Sequence, residues 1–395
     1  MYYICTMIIT KIHKRKLYAN DSRNKFLESR LVLSCEVYNH CIALHRRYYR
    51  LYKKHLGLFT LQKHITKLKK RDKKHWCLLN SQTIQEITER IDLSYKAFFR
   101  ELKKKNNRKT STPHFKKRSM YNSFTFKNTG WKLNDNDIII QGKKFKFNKD
   151  RKINGDIRLV TVKRDSLGCF WICVCVKENV NPRYSQTGNS VGLDFGLKTF
   201  LTTSDNEKID SPEFLKKDLK MLRRKSRNLS SKVKGSHNRI KAKTELSRLY
   251  QSISDKRNDW QWKTAHSLIS KYDMICVEDL NMKAMQKLWG RKIGDLALTE
   301  FYQKLEYLCS VENKKFVKID RFYASSKICS CCGHKLEKLS LKQRTWVCPS
   351  CNTKHDRDIN ASKNIKMVGA STIERVKCKS GLPAVHVCIS EPHCL

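Results

Sequence analysis

The residues whose types and spacing could do chemistry are four cysteines and three acidic segments. Cys329, Cys332, Cys348 and Cys351 read C-x2-C, fifteen residues, C-x2-C. Two such knuckles bring four thiolates into a tetrahedron, which Zn²⁺ accepts without geometric penalty. The spacing is that of a zinc ribbon. Gly333 after the first knuckle and Pro349 within the second suit the tight turns. Cys331, a fifth thiol inside the first pair, reads as a bystander. Four protein ligands leave no open coordination position, so the site is expected to be structural.

The acids are less self-evident one at a time. Asp194 interrupts the apolar run V-G-L-D-F-G, where a carboxylate is costly if buried without a partner. Alone, it reads equally well as an acid on the solvated face of an edge strand. Glu278 closes the run M-I-C-V and is followed by Asp279. Sites form at strand C-termini in α/β sheets, but an acid there is also a common helix cap. Asp358 lies in HDRDINASKNI directly after the cysteines, and Asp356 competes with it. What lifts the set is the company it keeps. The chain has 83 Lys and Arg against 36 Asp and Glu, a net charge of +47. Carboxylates in a phosphate-binding protein oppose its main binding energy, so their retention needs a reason. Chelation of two Mg²⁺ ions about 3.5–4 Å apart, for phosphodiester hydrolysis, is such a reason.

The charge also bounds the class. Self-repulsion of this size opposes compaction unless a polyanion neutralises it, and nucleic acid does so with a gain from counterion release. No segment has the roughly 20 apolar residues needed to span a membrane. The opening MYYICTMIIT alternates, and basic residues follow it rather than precede it, so it reads as a first β-strand and not as a signal peptide. The expected location is cytoplasmic, nucleoid-associated in a prokaryote. Seventeen cysteines in such a compartment point to reduced thiols and a metal site. Cys173 and Cys175 of WICVCV read as small core residues.

The elements that must position these groups follow from periodicity. Residues 2–17 read as a strand. Residues from about 20 to 105 are helical, with Ile84, Ile87, Ile91, Tyr95, Phe98 and Leu102 along one face. Alternating runs over 121–177 predict an antiparallel sheet or small barrel. After the linker ENVNPRYSQTGNS come the strand SVGLDFGLKTFLTTSD, a basic helical stretch turned at Gly235, the strand YDMICVEDL, a helix over 297–313 and the strand KKFVKID. That alternation predicts an α/β sheet domain. The final thirty residues show no clear periodicity and read as a tail.

Taken in order, VGLDFGLKTF, RRKSRNLSSKVKGSHNRIKAKTELSRLY, ICVEDLNMKAM, RFYASSKICSCCGHK and WVCPSCNTKHDRDINASKNI resemble the TnpB family, the nucleases of insertion sequences related to type V CRISPR effectors and Fanzor proteins. NSQTIQEITERIDLSYKAFFR and TPHFKKR match its N-terminal lobe, and the resemblance spans roughly residues 8–366. It implies a multidomain α+β protein: a RuvC-like domain of RNase H fold with an inserted zinc ribbon, and a β-barrel-like wedge domain with a helical insert. The implied division is 1–20 as first wedge strand, 21–108 as helical recognition insert and 109–183 as β-rich wedge. The nuclease domain then runs over 190–320 with the basic hairpin 213–268, the ribbon over 321–354, the end of the nuclease domain over 355–368, and a loose tail over 369–395.

The resemblance further implies RNA-guided DNA cleavage beside a short flanking motif, with a guide RNA from the transposon end and a double- or single-stranded DNA target as partners. Asp194, Glu278 and Asp358 become the catalytic, Mg²⁺-binding acids. Lys116, Lys117 and Arg118, and Arg223, Arg224 and Lys225, are candidate nucleic-acid grips. Tyr121, Phe124 and Phe126 could stack on bases, although an inward strand face is the favoured reading. Two other classes compete: a strand-transferring transposase, and a non-catalytic zinc-ribbon nucleic-acid binder.

Overall fold

The computed structural model describes residues 7–377 apart from 19, 105–109, 149–151, 198 and 341. The first six residues of the expected opening strand, and the expected tail from 378 on, lie outside the described residues. The chain divides into two compact units that change over at residue 180.

The first unit begins with β1 (Met7–Tyr18), followed by helices α1 (Asp21–Tyr52), α2 (Leu58–Lys70) and α3 (Ser81–Lys103). Six short strands complete it: β2 (Ser123–Phe126), β3 (Trp131–Leu133), β4 (Asp137–Ile140), β5 (Lys143–Phe147), β6 (Asp156–Arg164) and β7 (Phe170–Val180). They form a seven-stranded sheet in the order β2-β6-β7-β1-β5-β4-β3. The helices are therefore inserted between two strands of one sheet. Asn20 and Asn80 start α1 and α3 by accepting the backbone N–H of Arg23 and Gln82 at 3.0 and 2.8 Å, the usual role of asparagine at a helix N-terminus. The apolar stripe of α3 buries Ile84, Ile87, Ile91 and Tyr95, while Leu102 is exposed. Tyr121, Phe124 and Phe126 are buried in the core. That removes them as base-stacking candidates; β2 is buried on both faces, and Tyr121 packs on Tyr38 of α1. Cys173 is buried as well.

The second unit is built on a five-stranded sheet. Its strands are β8 (Ser190–Asp194), β9 (Thr199–Thr203), β10 (Lys208–Asp210), β11 (Met274–Glu278) and β12 (Lys315–Ile319). Between β10 and β11 run α4 (Phe214–Ser231) and α5 (His237–Lys271), and between β11 and β12 run α6 (Met282–Leu296) and α7 (Leu298–Val311). Gly235, at φ +90, makes the turn of the α4–α5 hairpin in a conformation that costs a glycine nothing. The order is β10-β9-β8-β11-β12, with β8, β11 and β12 parallel and β9 and β10 antiparallel. The ribbon hairpin β13 (Thr345–Val347) and β14 (Lys354–Asp356) precedes the last helix, α8 (Arg357–Lys377).

Alternation along β8 and β11 divides their side chains between two layers. Val191, Leu193, Ile275 and Val277 face a core shared with Ala265, Leu268, Phe301 and Leu305 of α5 and α7. Gly192 and Cys276 face the other way, toward α8. A Cβ on Gly192 would stand 2.0 Å from the Ser362 carbonyl oxygen and 2.5 Å from the Lys366 nitrogen. Helix and strand backbones thus touch there. One Cβ on Gly369 would come within 2.3 Å of Cys276 Sγ. Residues 369–377, expected as part of a loose tail, instead continue α8. The missing apolar side chain at 369 marks close packing, not the end of order.

Gly192→Ala should therefore force α8 away from β8. Overpacking of this kind costs about 1–3 kcal/mol, so the expected result is a melting temperature several degrees lower by calorimetry. An unchanged melting temperature would contradict the contact.

Candidate metal centres

Register and alternation bring two of the acids together. In the parallel pair, Val277 lies opposite Leu193, so Glu278 and Asp194, the last residues of β11 and β8, fall next in step. Adjacent strands are roughly 4.8 Å apart. Both side chains have the same parity as Cys276 and Gly192 and so share the α8 face. Asp358 stands in the first turn of α8, the helix seated on that face.

The neighbouring acids have other work. Asp356 caps α8: its Oδ1 accepts from the backbone N–H of Asp358 at 3.0 Å and of Ile359 at 3.1 Å, and its Oδ2 pairs with Lys208 at 2.8 Å. Burial would raise its pKa, but the Lys208 and N–H contacts outweigh it and pull the group down. Asp279 pairs with Arg321. Of these acids, Glu278 and Asp358 are the ones whose charges act on Asp194.

Asp194 is half-buried, and its carboxyl is pushed up to about 8, by burial first and then by the negative charges of Glu278 and Asp358. Burial also raises Glu278, opposed by the hydroxyl that Ser325 donates to it. Arg344 Nη1 lies 3.3 Å from Asp358 Oδ1, and the Tyr302 hydroxyl donates to the Glu278 carbonyl at 3.1 Å. The three carboxylates face one another as repelling neighbours. Their oxygens do not all fall within 4.8 Å, as the ribbon thiols do. Ser325 is fixed from α8: Asn364 Nδ2 donates to the Ser325 and Ile328 carbonyls at 2.8 and 2.7 Å, and Asn360 Nδ2 to Ile328 at 2.7 Å. Sequence reasoning passed over Ser325, Arg344, Asn360 and Asn364. All four are ordinary polar residues whose partners lie 14 to 47 positions away.

The cysteines converge more tightly. Sulfur atoms of Cys329, Cys332, Cys348 and Cys351 all lie within 4.8 Å, with Cys329 to Cys351 and Cys332 to Cys348 each 3.6 Å apart. Two matched turns shape the knuckles. The backbone N–H of Gly333 returns to the Cys329 carbonyl, and that of Asn352 to the Cys348 carbonyl, both at 2.9 Å. Gly333 and Asn352 take positive φ, +78 and +54, a conformation glycine and asparagine tolerate. Hydrogen bonds with Thr353 pull the exposed Cys351 thiol down to about 6. A tetrahedron of 2.3 Å Zn–S bonds has edges of about 3.8 Å, so the thiols fit such an ion. His355, on β14, brings Nε2 to 3.0 Å from Cys329 Sγ. Its ring lies 4.6 Å from that of Trp346, tilted by 39°. Cys331, read as a bystander, lies within 4.8 Å of Cys329 and His355.

The candidate grips differ in freedom. The Lys116 ammonium sits over the rings of Tyr38 and Tyr121 at 4.8 and 5.6 Å, and burial lowers its pKa. Lys225 pairs with Glu245 across the hairpin at 2.9 Å. Lys117, Arg118, Arg223 and Arg224 are exposed. Among the described residues no helix is long and apolar enough to cross a membrane.

The fold agrees with what the chain is similar to. Residues 173–288 match the family described as "Probable transposase" of the OrfB IS605 type, and residues 299–365 match the "Cas12f1-like, TNB domain". A Streptomyces pristinaespiralis protein named "Putative RNA-guided DNA endonuclease" is 36% identical over 53% of this chain and 52% of its own length. An Escherichia coli K12 protein named "Putative RNA-guided DNA endonuclease InsQ" is 26% identical over 74% of this chain and 75% of its own. The chain thus matches about half the length of the first and three quarters of the second. A "TnpB-like protein" of Acanthamoeba polyphaga mimivirus is 31% identical over 48% of this chain and 39% of its own. The protein chain of a cryo-EM Cas12f1–sgRNA–target DNA complex shares the fold with a TM-score of 0.57, at 16% identity, over 88% of this chain and 83% of that one. Two stretches of the chain thus match the transposase and TNB-domain family models, one after the other. The resemblance to the TnpB family read from the sequence is borne out.

The crowded acids set a pH dependence. Asp194 binds its proton more tightly folded, near pH 8, than unfolded, near 3.8. Its contribution to stability is therefore full below pH 4 and is lost as pH rises through 8. In chelator-treated protein, Asp194→Asn should melt at a higher temperature than wild type at pH 8, with the gap closing toward pH 5. A gap independent of pH would refute the assignment.

Proposed function

We propose that this chain is an RNA-guided DNA endonuclease encoded by a transposable element, hydrolysing phosphodiesters with divalent cations at Asp194, Glu278 and Asp358. One observation carries the reading: two carboxylates at register-matched ends of adjacent parallel strands face a third on the covering helix, in a chain of charge +47. On this reading the five-stranded sheet is a RuvC-like domain of RNase H fold. Its order, with antiparallel strands on one side and parallel strands on the other, supports that.

The donor set suits Mg²⁺, a hard cation that takes oxygen ligands. Burial and then the charges of Glu278 and Asp358 raise the Asp194 carboxyl to about 8, and a divalent cation would relieve the repulsive part. When bound, two such ions supply an activated water and charge stabilisation for the leaving oxygen. The protein's own part is positioning. Ser325 fixes the Glu278 carboxylate, Asn360 and Asn364 fix the segment carrying Ser325, and Arg344 offers positive charge beside Asp358. Cys329, Cys332, Cys348 and Cys351 would hold a structural Zn²⁺ in a ribbon that helps present DNA to the acids.

The guided part of the proposal rests on the printed names of the relatives and on the Cas12f1 likeness. Base pairing would read sequence while the protein grips an A-form heteroduplex by its backbone. Lys117, Arg118, Arg223 and Arg224 are better placed for that than Lys225, whose charge is paired with Glu245.

The protein co-expressed with its flanking transcript should cut plasmids carrying the matching sequence and flanking motif and spare mismatched ones. Asp194→Ala, Glu278→Ala and Asp358→Ala should each lower cutting by roughly 10³-fold or more, as loss of a group acting as part of a unit does, with RNA binding little changed. Equal cutting of both plasmids, or wild-type cutting by any of the three variants, would overturn the reading. Joining of transposon ends without RNA would favour the transposase alternative. Mg²⁺ added to chelated protein should raise the melting temperature more at pH 8 than at pH 5, and Asp194→Asn should remove the difference.

A further inference from the structure

Cys329 stands at the junction of two groups of ligand atoms. One is the four-thiol set. The other is Cys329, Cys331 and His355, whose ligand atoms also lie within 4.8 Å of one another. In the first set Cys332 and Cys351 are exposed and Cys329 and Cys348 buried; in the second Cys331 is exposed, while Cys329 and His355 are 1% and 6% exposed. Chain geometry points the imidazole at the sulfur. His355 pairs with Trp346 across the ribbon hairpin, its ring packs on the Trp346 indole at 4.6 Å, and Nε2 stops 3.0 Å from Cys329 Sγ. The sequence offers no reason for a buried histidine at this point of a four-cysteine ribbon. Nor does the four-thiol set use Cys331.

We propose that His355 and Cys331 form a reserve ligand set for the ribbon, able to keep a thiophilic divalent cation bound through Cys329 when an exposed thiol of the four is lost. The inference rests on the reading that the four thiols hold zinc. Thiolate and imidazole are both good zinc ligands, and the reserve set completes a coordination sphere with whichever of the original thiols remain. In the intact protein His355 is a positioning residue beside Cys329. Once Cys351 or Cys332 is gone, it becomes a ligand.

The test uses the full chain with its RNA. Zinc content per chain is measured after dialysis, zinc affinity by competition with a chromophoric chelator, and ligand type by the visible spectrum of the Co²⁺-substituted protein. Wild type is expected to hold one zinc. Cys351→Ser should still hold zinc, about 10- to 100-fold more weakly, with a Co²⁺ spectrum showing nitrogen in the ligand set. Adding His355→Ala to Cys351→Ser should weaken retention further and remove the nitrogen signature from the Co²⁺ spectrum, and adding Cys331→Ser as well, which leaves three ligands, should abolish it, while His355→Ala alone leaves the zinc in place. A folded Cys351→Ser protein without zinc, or one whose affinity is unmoved by His355→Ala, overturns the proposal and leaves the four-thiol reading intact. Wild type without zinc overturns both. Cys332→Ser, which removes the other exposed thiol, provides the same comparison should Cys351→Ser fail to give the far-UV circular dichroism of the wild type.

Discussion

The direct seating of α8 on β8 is the contact on which the second unit depends. At Gly192 there is no room for even a methyl group between strand and helix. Strand alternation sends Asp194 and Glu278 to the same side as that glycine, so the helix that closes the core on this face also delivers Asp358 to them. A wider separation, with side chains interdigitating in the ordinary way, would leave the third carboxylate further from the other two. Close packing and charge crowding are therefore two results of one geometry. Repulsion among the acids is sustained because backbone contact, rather than side-chain contact, sets the distance.

The surrounding polar contacts divide the acids by task. Asp356 and Asp279 are satisfied by Lys208, helix N–H groups and Arg321, and their charges are largely compensated. Around Asp194 the charges of Glu278 and Asp358 act more strongly than those of Arg357 and Arg344. That contrast is sharpest at Asp194; Glu278 has the Ser325 hydroxyl and Asp358 has Arg344. Asparagines of α8 extend the same helix's control to the segment before the ribbon. One helix thereby joins the acid cluster to the start of the cysteine knuckles.

The ribbon obeys a different logic. Its core is small, built on Cys329, Cys348 and Trp346, too little to order some thirty residues by burial alone. A Zn²⁺ held by the four converging thiols, as proposed, would supply the missing constraint. The two knuckles reach the same turn by different residues, Gly333 and Asn352. The resemblance between them lies in backbone conformation and not in sequence.

Much of this was legible in the sequence because it depends on local periodicity and short spacing. The α3 stripe, the strand pattern of the first unit, the hairpin turn at Gly235 and the cysteine knuckles all follow from residues close together in the chain. Sequence similarity added which three acids belong together. Only the tertiary structure decided what depends on contacts between distant segments: that Asp356 caps α8 and Asp279 meets Arg321, that Ser325 serves Glu278, that Tyr121, Phe124 and Phe126 point inward, and that order continues through Gly369 to Lys377. In each case the deciding quantity is a distance between residues far apart in the chain. Composition and spacing fix what a residue can do, whereas register and packing fix which partner it meets.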